Sequence, residues 1–313
     1  MTRHFFGNVL TSYGAAANNR GENEGNITTL QKILWRGETH STVSAEAIRW
    51  AIRYYWQQHA AENAGLETNR YWDDDTNDNK WRDENWSGWD QPDGQKFIDD
   101  DVLGFMRAEA AKEEGSDGEA SEQSPKSKGG KKKGTIINRR GVLELTRAIS
   151  TLPFGGDLTF NAKSGEKGRT SLYGTEVHAT RYQYGFALTP ARLKQPTRAL
   201  SVLTAICNLG EVAGNHSRFL YDFSPDSIVL RWTHDFAPRL LYCFEASDAQ
   251  TIDAPNLLQR VKEGDIDPKE LVIGGTVAAT PTGQALRELG AEVHGGIKAA
   301  AAAIYGRMKG ELA

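Results

Sequence analysis

The stretch His4-Phe5-Phe6-Gly7-Asn8-Val9-Leu10-Thr11-Ser12 sets the frame for the rest of the chain. It is short, largely apolar and bounded by a polar run, so it reads as a strand, and a central one. Beyond it, Asn18-Asn19-Arg20-Gly21-Glu22-Asn23-Glu24-Gly25-Asn26 consists of turn-formers and hydrogen-bonding side chains and reads as a loop. A helix then follows over 44–58. Ser44 suits its N-cap and Glu46 its first turn. Ala45, Ile48, Ile52, Tyr55 and Trp56 recur at helical spacing as a buried face. Glu46, Arg49, Trp50, Arg53 and Gln57 fall on the opposite face.

Working outward, 63–94 is rich in Trp, Asp and Asn and reads as an excursion from the body. Residues 96–106 return to an apolar pattern ending on a strand. Residues 113–134 run from acidic to lysine-rich, a composition that buries too little surface to offset its ordering entropy. Short strands are expected around Leu143 and Thr159 and over 175–180, 182–188, 227–233 and 240–245. The pair 175–180 and 182–188 suggests a hairpin or bent ribbon. A second helix is expected over 196–209 and an alanine-rich helical region over 281–312. Strand–helix–strand segments with insertions between them define an α+β class.

Composition narrows the function. The 313 residues are 39% hydrophobic and 25% charged, those of an ordinary globular protein. No run of about 18 apolar residues is present, so no membrane helix is expected, and the N-terminus lacks the longer apolar stretch of a secretory signal. Cys207 and Cys243 form no CxxC pair, which excludes a disulfide scaffold and points to reduced thiols in the cytoplasm, with no metal and no cofactor. The net charge of −4 conceals an asymmetry. Residues 62–122 hold 19 acidic and six basic side chains; the remainder holds 31 basic and 22 acidic. A basic body with an acidic insertion permits a nucleic-acid partner without diagnosing one.

Several groups carry candidate chemistry. The amides and Arg20 of the 18–26 loop stand beside glycines that let backbone approach a ligand; a plain solvated loop is the competing reading. Arg49 and Arg53, one helical turn apart beside Trp50, match a sugar–phosphate chain with a base stacked on the ring; equally, Trp50 packs against the insertion. Asn138-Arg139-Arg140-Gly141 suits phosphate contact. Residues 210–218 resemble an anion-receiving loop without the lysine spacing of a P-loop. Asp73–Asp75 and Asp99–Asp101 invite a metal-nuclease reading, but adjacent carboxylates on a strand diverge, and solvated acidic surface is the expectation. No G-x-S-x-G elbow accompanies His40, His178 or His216.

The block HFFGNVLT (4–11), ANNRGENEGN (17–26) and the segment from His40 to Tyr55 resemble the DevR branch of the CRISPR Cascade backbone family, the seventh-numbered Cas proteins of type I-B-like systems. FIDDDVLGFM (97–106), NRRGVLELTRAIS (138–150) and GNHSRFLYDFSPDSIVLR (214–231) are similar to the same family. The resemblance implies an RRM-like (ferredoxin-like) palm with inserted finger and thumb elements. It places the first part of the palm at 1–62 and a finger insertion, with its low-complexity loop, at 63–135. The rest of the palm, with a thumb ribbon at about 163–184, falls at 136–280, and a C-terminal helical segment at 281–313. It implies a non-catalytic subunit that polymerises along crRNA and presents it for pairing with target DNA in antiviral defence. The implied partners are crRNA, target DNA through the guide, copies of itself and other Cascade subunits, with no membrane. The implied RNA-binding residues are Asn18, Asn19, Arg20, Ser44, Arg49, Arg53, Arg139, Arg140, His178, Arg181, Asn215, His216 and Arg218. Two alternatives stand beside it: a metal-dependent ribonuclease of the same superfamily using Asp99–Asp101, and a DNA-binding autoregulator, for which no helix-turn-helix is visible. Tyr182-Gln183-Tyr184-Gly185-Phe186 matches the usual RRM aromatic motif poorly, which implies an altered RNA placement.

Overall fold

The computed structural model describes residues 1–17, 23–89, 96–108, 136–162, 165, 172–212 and 220–312. The chain opens with β1 (His4–Thr11), β2 (Gly14–Ala17), a hairpin of β3 (Lys32–Trp35) and β4 (Glu38–Val43), and helix α1 (Ala45–His59). The insertion holds β5 (Arg70–Asp73), β6 (Asp78–Trp81), the short helix α2 (Ile98–Val102), β7 (Gly104–Ala108) and β8 (Ile136–Arg140). There follow β9 (Ala148–Ser150), β10 (Leu158–Ala162), β11 (Leu172–Thr180), β12 (Tyr182–Leu188) and α3 (Arg198–Cys207). The last part comprises β13 (Pro225–Thr233), α4 (Pro255–Lys262), β14 (Leu271–Gly275), α5 (Pro281–Glu288), β15 (Glu292–His294) and α6 (Ile297–Leu312).

The main sheet runs β15-β14-β13-β1-β12-β9-β4-β3. β1 lies at its centre, antiparallel to β12 and β13, with all eight residues buried. Four strands in the order β13-β1-β12-β9, with α1 after β1 and α3 after β12, form the βαββαβ unit of a ferredoxin-like palm. The fold is therefore α+β and RRM-like, with the finger strands inserted between α1 and β9.

The alternation of β1 explains its central place. Phe5 and Val9 enter one core, against Ile48, Ile52 and Trp56 of α1, Leu203 and Ile206 of α3, and Ile304 and Met308 of α6. Phe6 and Leu10 enter a second core, against Val229, Leu240, Phe244, Leu257, Ile273 and Leu286. Each such side chain, taken fully from water, contributes about 1.5–3 kcal/mol before entropic costs. Tyr182, Tyr184 and Phe186 belong to the helix-side core, so this aromatic triplet is structural.

The second core covers the sheet face on which free-standing RRMs stack bases. Of residues 240–245, expected as a strand, 240–244 instead cross that face. Asn8 Oδ1 accepts from the Tyr242 N–H (2.9 Å), Gln183 Oε1 from the Phe244 N–H (3.2 Å), and Gln183 Nε2 donates to the Phe244 carbonyl (2.9 Å). Two buried amide side chains thus do what a strand ladder would otherwise do.

Of the expected hairpin or bent ribbon, β11 and β12 form the latter. β11 pairs with β10 and β2, not with β12. Arg181 separates β11 from β12, and the chain passes there from the ribbon into the palm sheet. The expected C-terminal helical region is two helices, α5 and α6, separated by the edge strand β15.

Asp99-Asp100-Asp101 overturn the expectation of a solvated acidic surface. All three are buried, in α2. Asp99 accepts from Arg53 Nε (3.1 Å) and from the Asn69 and Arg70 backbone N–H groups (2.7 and 3.1 Å). Asp100 accepts from Asn69 Nδ2 and Trp86 Nε1, each at 3.0 Å. Asp101 accepts from Arg139 Nη2 (2.6 Å), Arg198 Nη1 (3.0 Å) and the Lys194 and Gln195 backbone N–H groups (2.9 and 3.2 Å). One helical turn sends its three carboxylates to donors in five segments, and so ties the finger to the palm. Burial, then the neighbouring Asp99, pushes Asp100 up to about 7.

Candidate nucleic-acid interface

Six of the thirteen candidate residues, Asn18, Asn19, Arg20, Asn215, His216 and Arg218, lie outside the described residues. The other seven separate into one exposed residue and six held by the fold. Ser44 is the N-cap of α1, its side chain accepting from the Ala47 N–H at 3.1 Å. Arg49 donates to the carbonyls of Leu103 and Leu143, clamping the finger root onto α1; burial and the neighbouring Arg53 pull its guanidinium below the ordinary value. Arg53 is paired with Asp99. Trp50 stacks on Tyr54 and meets Trp72 edge-on, packing toward the insertion.

His178 is buried beneath the ribbon. Tyr182 Oη lies 2.8 Å from Ser41 Oγ, Ser41 Oγ 2.7 Å from His178 Nδ1, and His178 Nε2 3.1 Å from the Pro153 carbonyl. The carbonyl only accepts, so Nε2 carries the proton and Nδ1 accepts from Ser41. Burial holds the ring below its ordinary pKa, leaving it neutral. Arg181 donates to the Thr11 carbonyl (3.2 Å) and pairs with Asp226 (3.1 Å), closing the seam between β1, β12 and β13.

The finger root is different. Gly104 lies at φ +72°, and a Cβ there would overlap the Arg139 carbonyl, so β7 and β8 approach more closely than any side chain allows. That approach brings Arg139 over Trp89, its guanidinium 4.6 Å from the ring centroid, with Lys194 Nζ 5.4 Å from the same ring. Arg140 beside it is exposed (83%) and contacts Glu144 only at the surface. Arg192 and Lys194 are exposed and form no ion pair among the described residues. Trp89, Asn138, Arg139, Arg140, Gly141 and Arg192 line a cleft of about 340 Å³. An apolar cleft of about 370 Å³, with His4, Leu145, Phe236 and Leu241, shares Val142 and Arg192 with it.

Sequence reasoning named Arg139 and Arg140 but missed Trp89, Arg192 and Lys194. The last two lie in Thr189-Pro190-Ala191-Arg192-Leu193-Lys194-Gln195-Pro196, a basic turn between prolines. Trp89 belongs to the acidic excursion, whose path nothing in the sequence fixes. Among the described residues no three His, Cys, Asp or Glu side chains are grouped to hold a metal ion.

A ferredoxin-like palm with a covered sheet face and an inserted finger defines a class, the RRM-like α+β proteins with insertions. Comparison with known proteins narrows it. Residues 10–199 match the family described as CRISPR-associated negative auto-regulator DevR/Csa2. The chain is 47% identical over 321 residues to the CRISPR-associated protein Cas7/Cst2/DevR of Myxococcus xanthus (strain DK1622), covering 99% of both. The chain belongs to this DevR family. Its fold is similar to a chain of a CRISPR RNA-guided surveillance complex, with a TM-score of 0.55, 12% identity and coverage of 97% of this chain and 99% of the other. A chain from a pre-nicking form of such a complex matches at the same TM-score and identity, with 97% and 100% covered.

Proposed function

We propose that the chain is a non-catalytic guide-RNA-binding subunit of a CRISPR Cascade assembly of type I-B-like kind. It polymerises along crRNA in the cytoplasm, beside other Cascade subunits, and presents the guide for pairing with target DNA. The observation that carries this reading is the finger-root cleft. Trp89 offers a stacking surface, and Arg139, Arg140, Arg192 and Lys194 surround it, which suits a nucleic-acid backbone read without sequence preference. The closed sheet face supports the same reading, since it removes the usual RRM platform. Full-length similarity to a CRISPR-associated relative supports the biological setting.

In this proposal Arg140, Arg192 and Lys194 touch phosphate, while Ser44, Arg49, Arg53, His178 and Arg181 position the elements that do. Asn18, Asn19, Arg20, Asn215, His216 and Arg218 remain proposed contacts. The absence of catalysis is supported by the aspartate run, whose oxygens each accept at least one internal hydrogen bond. The test is single-stranded RNA binding by Arg140→Glu and Arg192→Glu across a salt titration. Each lost contact should lower the salt slope by about 0.7 and weaken all sequences alike. An unchanged slope, or a loss confined to one sequence, would overturn the assignment.

A further inference from the structure

A third cleft, of about 660 Å³, shares no lining residue with the finger-root cleft, and the proposed function makes no use of it. Its walls are the tip of the β3–β4 hairpin, the 239–243 segment and α4. Trp35, Arg36, Arg239, Tyr242 and Arg260 line it, together with Glu263 and Asp265.

Its backbone is unusual. Trp35 pairs with Glu38, so Arg36-Gly37 are the two central residues of the hairpin turn, at φ 52° and 90°. This is the turn type that favours Asn-Gly, yet an arginine fills the first position. Arg239 (φ 55°) and Tyr242 (φ 54°) are also left-handed. Of the five described non-glycine residues with positive φ, three converge on this cleft. Such conformations persist where the surroundings fix them, and they gather at ligand clamps. Here the surroundings do fix them: Asn8 holds the Tyr242 N–H, the Tyr242 hydroxyl donates to the Arg147 carbonyl (2.7 Å), and Leu241 packs into the space beside Gly185.

The side chains form a matched set. The Trp35 and Tyr242 rings lie 5.0 Å apart at 53°, making an aromatic wall. Arg36 is 61% exposed with only a distant carboxylate, Glu245 at 3.8 Å. Arg260 Nη1 donates to the Arg239 carbonyl (2.6 Å), which fixes Arg260 at the cleft, while the Arg239 guanidinium is itself paired with Asp235 (2.7 Å). Guanidinium groups beside an aromatic wall suit one base with one phosphate. The carboxylates of Glu263 and Asp265 suit ribose hydroxyls or base amino groups and disfavour a polyphosphate.

We propose that this cleft binds a nucleoside monophosphate unit, with the base on Trp35 and Tyr242 and the phosphate on Arg36 and Arg260. The unit comes either from a free nucleotide or from a single strand, and the test separates them. Isothermal titration of the full chain with the four ribonucleoside monophosphates, and with inorganic phosphate as a probe, gives the affinity. Arg36→Gly removes the guanidinium while relaxing the positive-φ position, so its melting temperature should hold or rise. Its nucleotide Kd should increase at least tenfold, and that of Arg260→Gln several-fold. Bound nucleotide that a short single-stranded RNA fails to displace identifies the free ligand. Displacement, with 4-thiouridine RNA crosslinking to the Trp35 or Tyr242 peptide, identifies the strand unit. Arg140→Glu should weaken RNA binding yet leave the mononucleotide Kd unchanged, so failure of the finger-root reading and failure of this one are distinguishable. Nucleotide binding no tighter than phosphate, or affinity unaltered in both folded arginine variants, would overturn the proposal.

Discussion

Replacing Asp101 by alanine removes a fully buried carboxylate that four donors share. Two of these are the guanidiniums of Arg139 and Arg198, with side chains 20% and 5% exposed, so water recovers little of the lost interaction. The other two are backbone N–H groups of the turn leading into α3. Breaking a buried ion pair from one side costs about 3–5 kcal/mol. Asp101→Asn keeps the shape and some acceptor capacity, and should cost about half as much. Urea unfolding followed by circular dichroism and tryptophan fluorescence measures both. Loss of the tie to Arg139 also withdraws the cation from Trp89, so fluorescence should change before global unfolding, and limited proteolysis should cut first within the finger. A loss below about 1 kcal/mol in Asp101→Ala would refute the claim that the aspartate run anchors the finger, because so small an effect is typical of exposed pairs.

Other outcomes follow from the same geometry. The Asp100 carboxyl, pushed up to about 7 from 3.8, holds a proton in the folded state that the unfolded chain has released. Its stabilising contribution is therefore complete below about pH 4 and is lost as pH rises through 7. The displacement corresponds to at most about 4 kcal/mol, and urea midpoints of Asp100→Asn should fall less between pH 5 and 8 than those of the parent. Gly104→Ala meets both a positive φ and the Arg139 carbonyl, and should destabilise by about 1–3 kcal/mol in thermal melts; an unchanged melt would contradict the close approach of β7 and β8. Asn8→Ala removes one of the two side chains holding 240–244 over the sheet, and should cost about 1–3 kcal/mol and speed hydrogen exchange at Tyr242. Exchange at Tyr242 equal to the parent would show that Asn8 does not hold this segment.

Much of the palm was legible in the sequence because its signals are local. The short apolar run of 4–11, Ser44 ahead of a periodic helix and the aliphatic run at 227–233 each specify an element with no knowledge of its neighbours. The ferredoxin-like arrangement came through family resemblance, since nothing local states that β13 and β12 flank β1. The candidate site was less legible for a physical reason. An arginine's sequence context does not reveal whether a carboxylate or carbonyl 46 or 94 residues away will claim it, as Asp99 claims Arg53 and Leu143 claims Arg49. The aspartate triplet misled for the same reason: its donors come from Arg53, Asn69, Trp86, Arg139 and residues 194–198, distributed along the chain. Trp89, Arg192 and Lys194 meet only once the finger folds back on the palm.

The central claim, that several copies of this chain coat one guide RNA, is tested most directly by co-expressing it with a CRISPR array and its partner subunits. Native mass measurement and RNA sizing of the purified material then follow. The account predicts one discrete RNA of repeat-plus-spacer length carrying multiple copies of the chain. A monomer free of nucleic acid, with every partner present, would contradict it.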